Sequence, residues 1–233
     1  MTADPRLIVA LDVPTVAEAR ALVERIGDAV GFYKVGLQLF ASDGMGLARE
    51  LKAAGAQVFL DWKLHDIGAT VEKATAVLAH AGCDLLTVHA RPQVMAAAAR
   101  GAAGSDLKIL GVTVLTSLTE ADREADDHSL SAADLVELRV RQALEAGIHG
   151  VVSSPHEAAR VREIALRAGR ENFLIVTPGV RPTGAALDDQ ARAATPASAL
   201  QAGATHLVVG RPITAGADPR AAAQAISAEI ALI

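Results

Sequence analysis

Phe59-Leu60-Asp61-Trp62-Lys63-Leu64-His65-Asp66-Ile67-Gly68 is an apolar run that gathers charge towards its end. Val58, Phe59, Leu60 and Trp62 favour a buried strand. Alternate strand residues share a face, so Asp61 and Lys63 are expected on the same side. Asp66 follows just past the strand end. Gly68 lets the chain turn before a helical pattern (Val71, Ala74, Val77, Leu78), for which Thr70 is the expected N-cap. Asp-x-Lys-x-x-Asp thus sets a cation between two anions where a strand hands over to a loop. A solvated rim with a weak ion pair, worth roughly 0–1 kcal/mol, is the competing reading. A second charged set of the same kind, earlier in the chain, favours the functional one.

Outward from this stretch the same unit recurs. Arg6-Leu-Ile-Val-Ala-Leu-Asp12-Val13 is an apolar run ending in an acid, followed by Pro14-Thr15 and a helical pattern through Ala17, Ala21, Leu22 and Ile26. Phe32-Tyr-Lys34-Val-Gly-Leu repeats it with Lys34 at the centre, and a helix is expected through Leu47 to Ala53. Asp84 to Ala90 and Lys108 to Ser117 supply the fourth and fifth strands. Gly150 to Pro155, Phe173 to Gly179 and Thr205 to Arg211 supply the sixth, seventh and eighth. Helices are expected to begin near Ser131, His156, Pro196 and Asp218. Eight strand-then-helix units in 233 residues predict an α/β fold, a (β/α)8 TIM barrel. An open doubly wound sheet is the alternative. With no linker or low-complexity tract to divide the chain, residues 1–233 are read as a single domain. Barrel active sites lie at the C-terminal ends of the strands. Asp12, Lys34, Asp61, Lys63, Asp66, His89, Thr116, Pro178 and Arg211 all fall at or near those ends.

Composition agrees. Hydrophobic residues make up 51% but aromatics only 3%, so the core must be built from Ala, Val, Leu and Ile, as suits parallel strands under Ala-rich helices. A net charge of −5 gives no support to nucleic-acid binding. Apolar runs are interrupted before they could span a bilayer, and Met1-Thr2-Ala3-Asp4-Pro5 lacks the basic and apolar regions of a signal peptide. A cytoplasmic protein with no membrane partner is expected. Cys83, the single cysteine, excludes an intrachain disulfide and reads as a small buried residue.

Two loops stand out by length. Thr116 to Leu130 is acidic and polar, and only its start, Thr116 and Ser117, is a site candidate. Val180 to Arg192 follows the seventh strand, and loops this long are usually lids or binding loops. In barrels the loops after strands seven and eight often hold a phosphate. Here they offer Arg181, Gln190, the Gly210 N–H and Arg211, donors suited to a phosphate dianion.

Taken together, Leu11-Asp12-Val13-Pro14-Thr15, Asp61-x-Lys63-x-x-Asp66-Ile67, Val114-Leu-Thr116-Ser117, Thr177-Pro-Gly-Val-Arg181-Pro, Asp189-Gln190 and Val209-Gly210-Arg211-Pro212 resemble, in order, bacterial-type orotidine 5′-monophosphate decarboxylase. The similarity covers nearly the whole chain. Asp-x-Lys-x-x-Asp alone is shared with other barrels such as 3-keto-L-gulonate 6-phosphate decarboxylase, so the Arg-Pro…Asp-Gln and Gly-Arg-Pro segments carry the distinction. The chain departs from the family pattern at Trp62 and at Ala69, where Asn is common, without losing a charged group.

The resemblance implies decarboxylation of orotidine 5′-monophosphate to uridine 5′-monophosphate in pyrimidine synthesis, with neither metal nor organic cofactor. It implies that Lys63 protonates C6 and that Asp61 lies near the departing carboxylate. Lys34 and Asp66 complete the charge network, with Asp66 reaching into the partner's site of a homodimer. Asp12 and Lys34 would hold the ribose. Thr116, alone or with Ser117, would meet the base or the ribose, and Arg181, Gln190, Gly210 and Arg211 the phosphate. Ile67, Thr70 and Pro178 complete the implied substrate-binding set.

The chemistry supports such an array independently. Loss of CO2 from an sp2 carbon without an electron sink leaves a carbanion that needs a fixed cation and a proton nearby. A lysine between carboxylates is favoured in its charged form, and a preorganised array need not rearrange during reaction. Two rivals remain. Asp12, Asp61, Asp66 and His89 offer metal ligands, but Lys34 and Lys63 in the same pocket repel a divalent cation. A barrel that only binds a phosphorylated nucleotide would not need both lysines and all three acids. His65 and His89 read as satisfied structural histidines, and His80, His149 and His206 as helix or loop residues.

Overall fold

Strand alternation divides the apolar residues between two cores. The computed structural model describes residues 3–115, 130–182 and 194–233. Within them, eight parallel strands close into a barrel in sequence order. They are β1 (Leu7–Ala10), β2 (Phe32–Gly36), β3 (Gln57–Leu64), β4 (Leu85–His89), β5 (Lys108–Val112), β6 (Gly150–Val152), β7 (Leu174–Pro178) and β8 (His206–Val209). β8 pairs back onto β1 through Leu7↔Leu207 and Val9↔Val209. The barrel, not the open sheet, is therefore the architecture.

Ile8, Ala10, Phe32, Phe59, Leu85, Leu110, Val176 and Val208 fill the barrel interior. Their neighbours one residue along, including Leu7, Val9, Tyr33, Val58, Leu60, Leu86 and Ile109, pack outwards in the second core beneath the helices. Few aromatics are needed because Phe32 and Phe59 occupy the lumen, where each buried ring contributes about 1.5–3 kcal/mol. The same inward rows then become polar. Ile8 and Ala10 lead to Asp12, Phe32 leads to Lys34, and Phe59 leads to Asp61. Two-residue periodicity thus carries β1, β2 and β3 from an apolar floor to a charged upper end.

Helices follow the strands and begin where the chain offers caps. Thr15 caps Val16–Ile26 by accepting from Glu18 N (3.2 Å), and Ser131 caps Ala132–Glu145 by accepting from Asp134 N (3.1 Å). Thr195 and Asp218 cap Pro196–Gln201 and Pro219–Ile230, each with proline in the first turn. Two starts differ from expectation. The helix after β3 spans Gly68–Ala79 with Ile67 at its N-cap and no side-chain cap, so Thr70 lies inside the first turn and does not cap it. Gly68 already adopts helical backbone, so the helix starts three residues earlier than a Thr70 cap would place it. The helix expected near His156 spans Ala158–Arg167, because Ser154 N donates to Glu157 Oε2 (3.0 Å) and holds a turn ahead of it. His206 lies in β8 rather than in a helix or loop.

Below the site, Asp84 Oδ2 accepts from Val58 N (2.7 Å) and Lys52 Nζ (2.8 Å), anchoring the start of β3. At its other end β3 slips against β4: Leu60 pairs with Leu86, yet Leu64 pairs with Val88. Four residues of β3 thus advance against two of β4, and the extra residues carry Asp61 and Lys63. Among the described residues no helix is long and apolar enough to cross a membrane.

Candidate active site

The upper ends of β2 and β3, with the segment after β1, bring four charged side chains into one alternating row. Lys34 Nζ donates to Asp12 Oδ1 (2.9 Å) and Oδ2 (3.2 Å) and lies 3.3 Å from Asp61 Oδ2. Lys63 Nζ donates to Asp61 Oδ1 (2.8 Å). The row therefore reads Asp12, Lys34, Asp61, Lys63, each charge beside one of opposite sign. Gly36 makes room for it. A Cβ there would stand 2.6 Å from Asp12 Oδ1 and 3.1 Å from Lys34 Nζ.

Burial is the largest single influence on Asp61 and opposes its charge. The Lys34 and Lys63 ammonium groups, with hydrogen bonds from Lys63 and Thr87, outweigh it and hold the carboxyl below its ordinary range. Lys34 mirrors this. Burial again acts most strongly and favours the neutral amine, but Asp61 and Asp12 together raise the pKa above the usual lysine value. The interior of the row is held as an ion pair.

Lys63 is one of two non-glycine residues with positive φ among those described, at 49°. It sits in the slipped part of β3, where a bulge re-aims side chains. Simple alternation foresaw that Asp61 and Lys63 would converge but not this backbone.

A cavity of about 450 Å3 holds both charged sets. Asp12, Lys34, Asp61 and Lys63 line one side; Pro178, Arg181, Gly210 and Arg211 line another. Val112, Val114, Leu115, Val152 and Val208 contribute apolar wall. Arg181 is buried just beyond β7, and its main-chain N–H donates to Ala194 O (2.9 Å). Val180 bridges to Ala194, so the chain on either side of residues 183–193 is tied at the cavity edge. Arg211 opens a short helix, Arg211–Thr214, directly after β8.

Three expected residues lie elsewhere. Asp66, Ile67 and Thr70 are exposed and do not line the cavity of their own chain. Asp66 Oδ1 accepts from Ile67 N (2.6 Å), and the carboxylate makes no ion pair among the described residues. Thr116, Ser117 and Gln190 lie outside the described residues. Among the described residues the His65 and His89 side chains make no hydrogen bond, so the structural reading of these two rests on ring packing. Their rings face one another at 5.0 Å, and burial, then His65 and nearby Arg139, Lys63 and Arg91, push the His89 pKa down. Among the described residues no group of three or more His, Cys, Asp or Glu could hold a metal ion.

Sequence reasoning missed Gly36 and Thr87. Thr87 is fully buried on β4, and its hydroxyl donates to Asp61 Oδ1 (3.0 Å). Its signal was a lone hydroxyl in Leu85-Leu86-Thr87-Val88-His89, on the inward row between Leu85 and His89.

An anion at one end of this cavity would meet two guanidiniums, while a group at the other end would face an ammonium fixed between carboxylates. The family described as "Orotidine 5'-phosphate decarboxylase / HUMPS family" matches residues 5–226. An orotidine 5′-phosphate decarboxylase of Caulobacter vibrioides (strain NA1000 / CB15N) is 68% identical over 231 residues, covering 99% of both chains. Its counterpart in Cereibacter sphaeroides is 57% identical over 232 residues, covering 98% of both. The crystal structure of orotidine 5′-phosphate decarboxylase from Lactobacillus acidophilus superposes with a TM-score of 0.84 at 36% identity, covering 97% of this chain and 99% of that one.

Proposed function

The chain belongs to the orotidine 5′-phosphate decarboxylase / HUMPS family, and from that membership we propose how its charged row performs the family reaction. That reaction is decarboxylation of orotidine 5′-phosphate to uridine 5′-phosphate and CO2 in pyrimidine biosynthesis. The observation that carries the assignment of roles is the single cavity lined by both Asp12-Lys34-Asp61-Lys63 and Arg181 with Arg211.

In our reading Arg181, Gly210 and Arg211, with Gln190, grip the phosphate, and Asp12 and Lys34 hold the ribose hydroxyls. Thr116 or Ser117 meets the base. The substrate carboxylate lies beside Asp61, and C6 lies beside Lys63 Nζ. The C6–carboxylate bond breaks, its electron pair stays on C6, and CO2 departs neutral. Lys63 Nζ delivers a proton to C6 and afterwards regains one from solvent. Asp61 holds the Lys63 ammonium at 2.8 Å, so the cation that meets the developing carbanion is in place beforehand. The phosphate grip lies away from the breaking bond, but its binding energy can be used to assemble the site and exclude water.

We further read the protein as a cytoplasmic, cofactor-free homodimer, single-domain across residues 1–233. Asp66, Ile67 and Thr70 serve the partner's cavity. In support, Leu37, Phe40 and Ile67 are apolar yet more than half exposed, and the Phe40 ring packs 4.5 Å from that of Trp62 in β3. A second copy would cover that surface.

The test is an absorbance assay of orotidine 5′-phosphate conversion in excess EDTA, on the native chain and on Lys63→Ala. Native turnover untouched by chelator, with loss of about 1,000-fold or more in the variant, is expected from removal of a general acid and fixed cation. Recovery only on adding Mg2+ would move the reaction to a metal-dependent route. Unimpaired turnover by Lys63→Ala would remove Lys63 from its role.

A further inference from the structure

The hydroxyl of Thr87 is shared by the two residues on which the reaction turns. Thr87 Oγ1 accepts a hydrogen bond from the main-chain N–H of Lys63 (2.9 Å) and donates one to Asp61 Oδ1 (3.0 Å). That same oxygen, Oδ1, accepts from Lys63 Nζ (2.8 Å). A closed ring results: hydroxyl to carboxylate, ammonium to carboxylate, and the lysine's own backbone to hydroxyl.

The need for it lies in the backbone. Between Leu60↔Leu86 and Leu64↔Val88 the strands lose register, so the regular ladder does not provide for Lys63 N. The group would be an orphaned donor in a part-buried site, and such donors are costly to leave unmade. Lys63 also has φ of 49°, a region that a side chain with a Cβ adopts only when its surroundings over-determine it. Thr87 itself has no exposed surface and lies within β4, held by ladder pairing to Leu110 of β5. β4, paired on both sides, thus fixes a strained residue on its neighbour.

We propose that Thr87 is a positioning residue for the decarboxylation, setting the Lys63 main chain and the orientation of the Asp61 carboxylate through one hydroxyl. The proposal rests on the roles of Lys63 and Asp61 given above. Its effect on Asp61 is also electrostatic. Burial opposes the carboxylate most strongly, while Lys34, Lys63 and the Thr87 hydrogen bond act together to keep it ionised. Without the hydroxyl, Asp61 becomes a weaker acid and is free to rotate away from Lys63 Nζ.

Thr87→Val removes the hydroxyl and keeps the shape, whereas Thr87→Ser keeps the hydroxyl and removes a methyl group. The expected result for Thr87→Val is a fall in kcat of about 10- to 100-fold, as the loss of one hydrogen-bonded group at a charged site implies. KM should change less than about threefold, because the phosphate grip stands apart from β4. The acid limb of the kcat profile should move to higher pH, and Thr87→Ser should restore both rate and profile. A Thr87→Val enzyme with native kcat and profile would overturn the proposal, as would Thr87→Ser as impaired as Thr87→Val, which would assign the effect to packing. If Thr87→Val does not fold, Thr87→Ala replaces it, removing the hydroxyl without adding a branch to pack. An unaltered kcat there would likewise overturn the proposal. Lys63→Ala run in parallel separates the two failures: its unimpaired turnover sinks the assigned chemistry, whereas its inactivity beside a native-like Thr87→Val sinks this proposal alone.

Discussion

Lys34 Nζ and Asp61 Oδ2 face each other at 3.3 Å with side chains only 9% and 16% exposed, and each is kept charged mainly by the other against the pull of burial. A pair so placed gives little net stability over an apolar one, but losing one member is costly. Asp12 stays beside Lys34 when Asp61 is neutralised, while Lys63 then faces Lys34 without an intervening anion. Asp61→Asn is therefore expected to destabilise the fold by between about 1 and 3 kcal/mol.

The pH dependence follows from the directions of the shifts. Asp61 has its folded pKa lowered, so its contribution is complete above the unfolded value of about 3.9 and is lost as pH falls through the folded value. Lys34 has its folded pKa raised, so its contribution is complete below the unfolded value of about 10.4 and is lost as pH rises through the folded value. Urea unfolding of the native chain and Asp61→Asn between those limits should differ by a constant amount, and the difference should shrink in acid. A difference that grows on acidification would refute the assignment.

Gly36 offers a test of the row that leaves its charges in place. Its φ of −90° and ψ of −177° suit any residue, so Gly36→Ala introduces no backbone strain. The added methyl, however, meets Asp12 Oδ1 at 2.6 Å, and the carboxylate must swing out from Lys34. Asp12 is more than half exposed and can move into solvent, so stability should change by less than about 1 kcal/mol. Activity should fall about tenfold, mostly through KM if Asp12 and Lys34 hold the ribose. Native activity in a folded Gly36→Ala enzyme would show that the Asp12–Lys34 contact is dispensable.

What was legible in the sequence and what was not separate along physical lines. The barrel was readable because each strand is a short apolar run followed by a turn and a helical pattern, and in Ile8-x-Ala10-x-Asp12 or Phe59-x-Asp61 the periodicity also places a charge at the upper end. The union of Lys63 with Arg211 in one cavity followed from the barrel rule, since both stand at strand ends. Thr87 escaped because its importance comes from the slip between β3 and β4, which no periodicity within either strand encodes. Thr70 was misread as a cap because Thr is a strong N-cap by type, whereas Gly68 had already begun the helix.

Arg181 and Arg211 should act on phosphate and not on the nucleoside. Replacing either by alanine is expected to weaken binding of uridine 5′-phosphate by about 10- to 100-fold, the range for one charge-assisted hydrogen bond. Uridine, which lacks the phosphate, should bind native and variant chains alike. Titration calorimetry with both ligands decides the matter, and equal losses for the two would mean that these arginines shape the cavity rather than grip the anion.

The exposed Asp66 supports a final test, in which no single chain suffices. Its carboxylate accepts only from Ile67 N among the described residues and does not line its own cavity, and the adjoining Ile67 is apolar yet exposed. If it serves the neighbouring cavity, Lys63→Ala and Asp66→Ala damage opposite halves of the same composite site. In a heterodimer of the two variants, one site then carries both lesions and the other carries neither. Mixing the two chains after mild dissociation should therefore restore about a quarter of native activity from two nearly inactive parents, since half the random dimers are mixed and each has one intact site. Native mass spectrometry would establish that mixed dimers had formed. Mixed dimers without regained activity would place Asp66 in its own subunit's chemistry, and a chain that stays monomeric at assay concentration would remove the dimer itself.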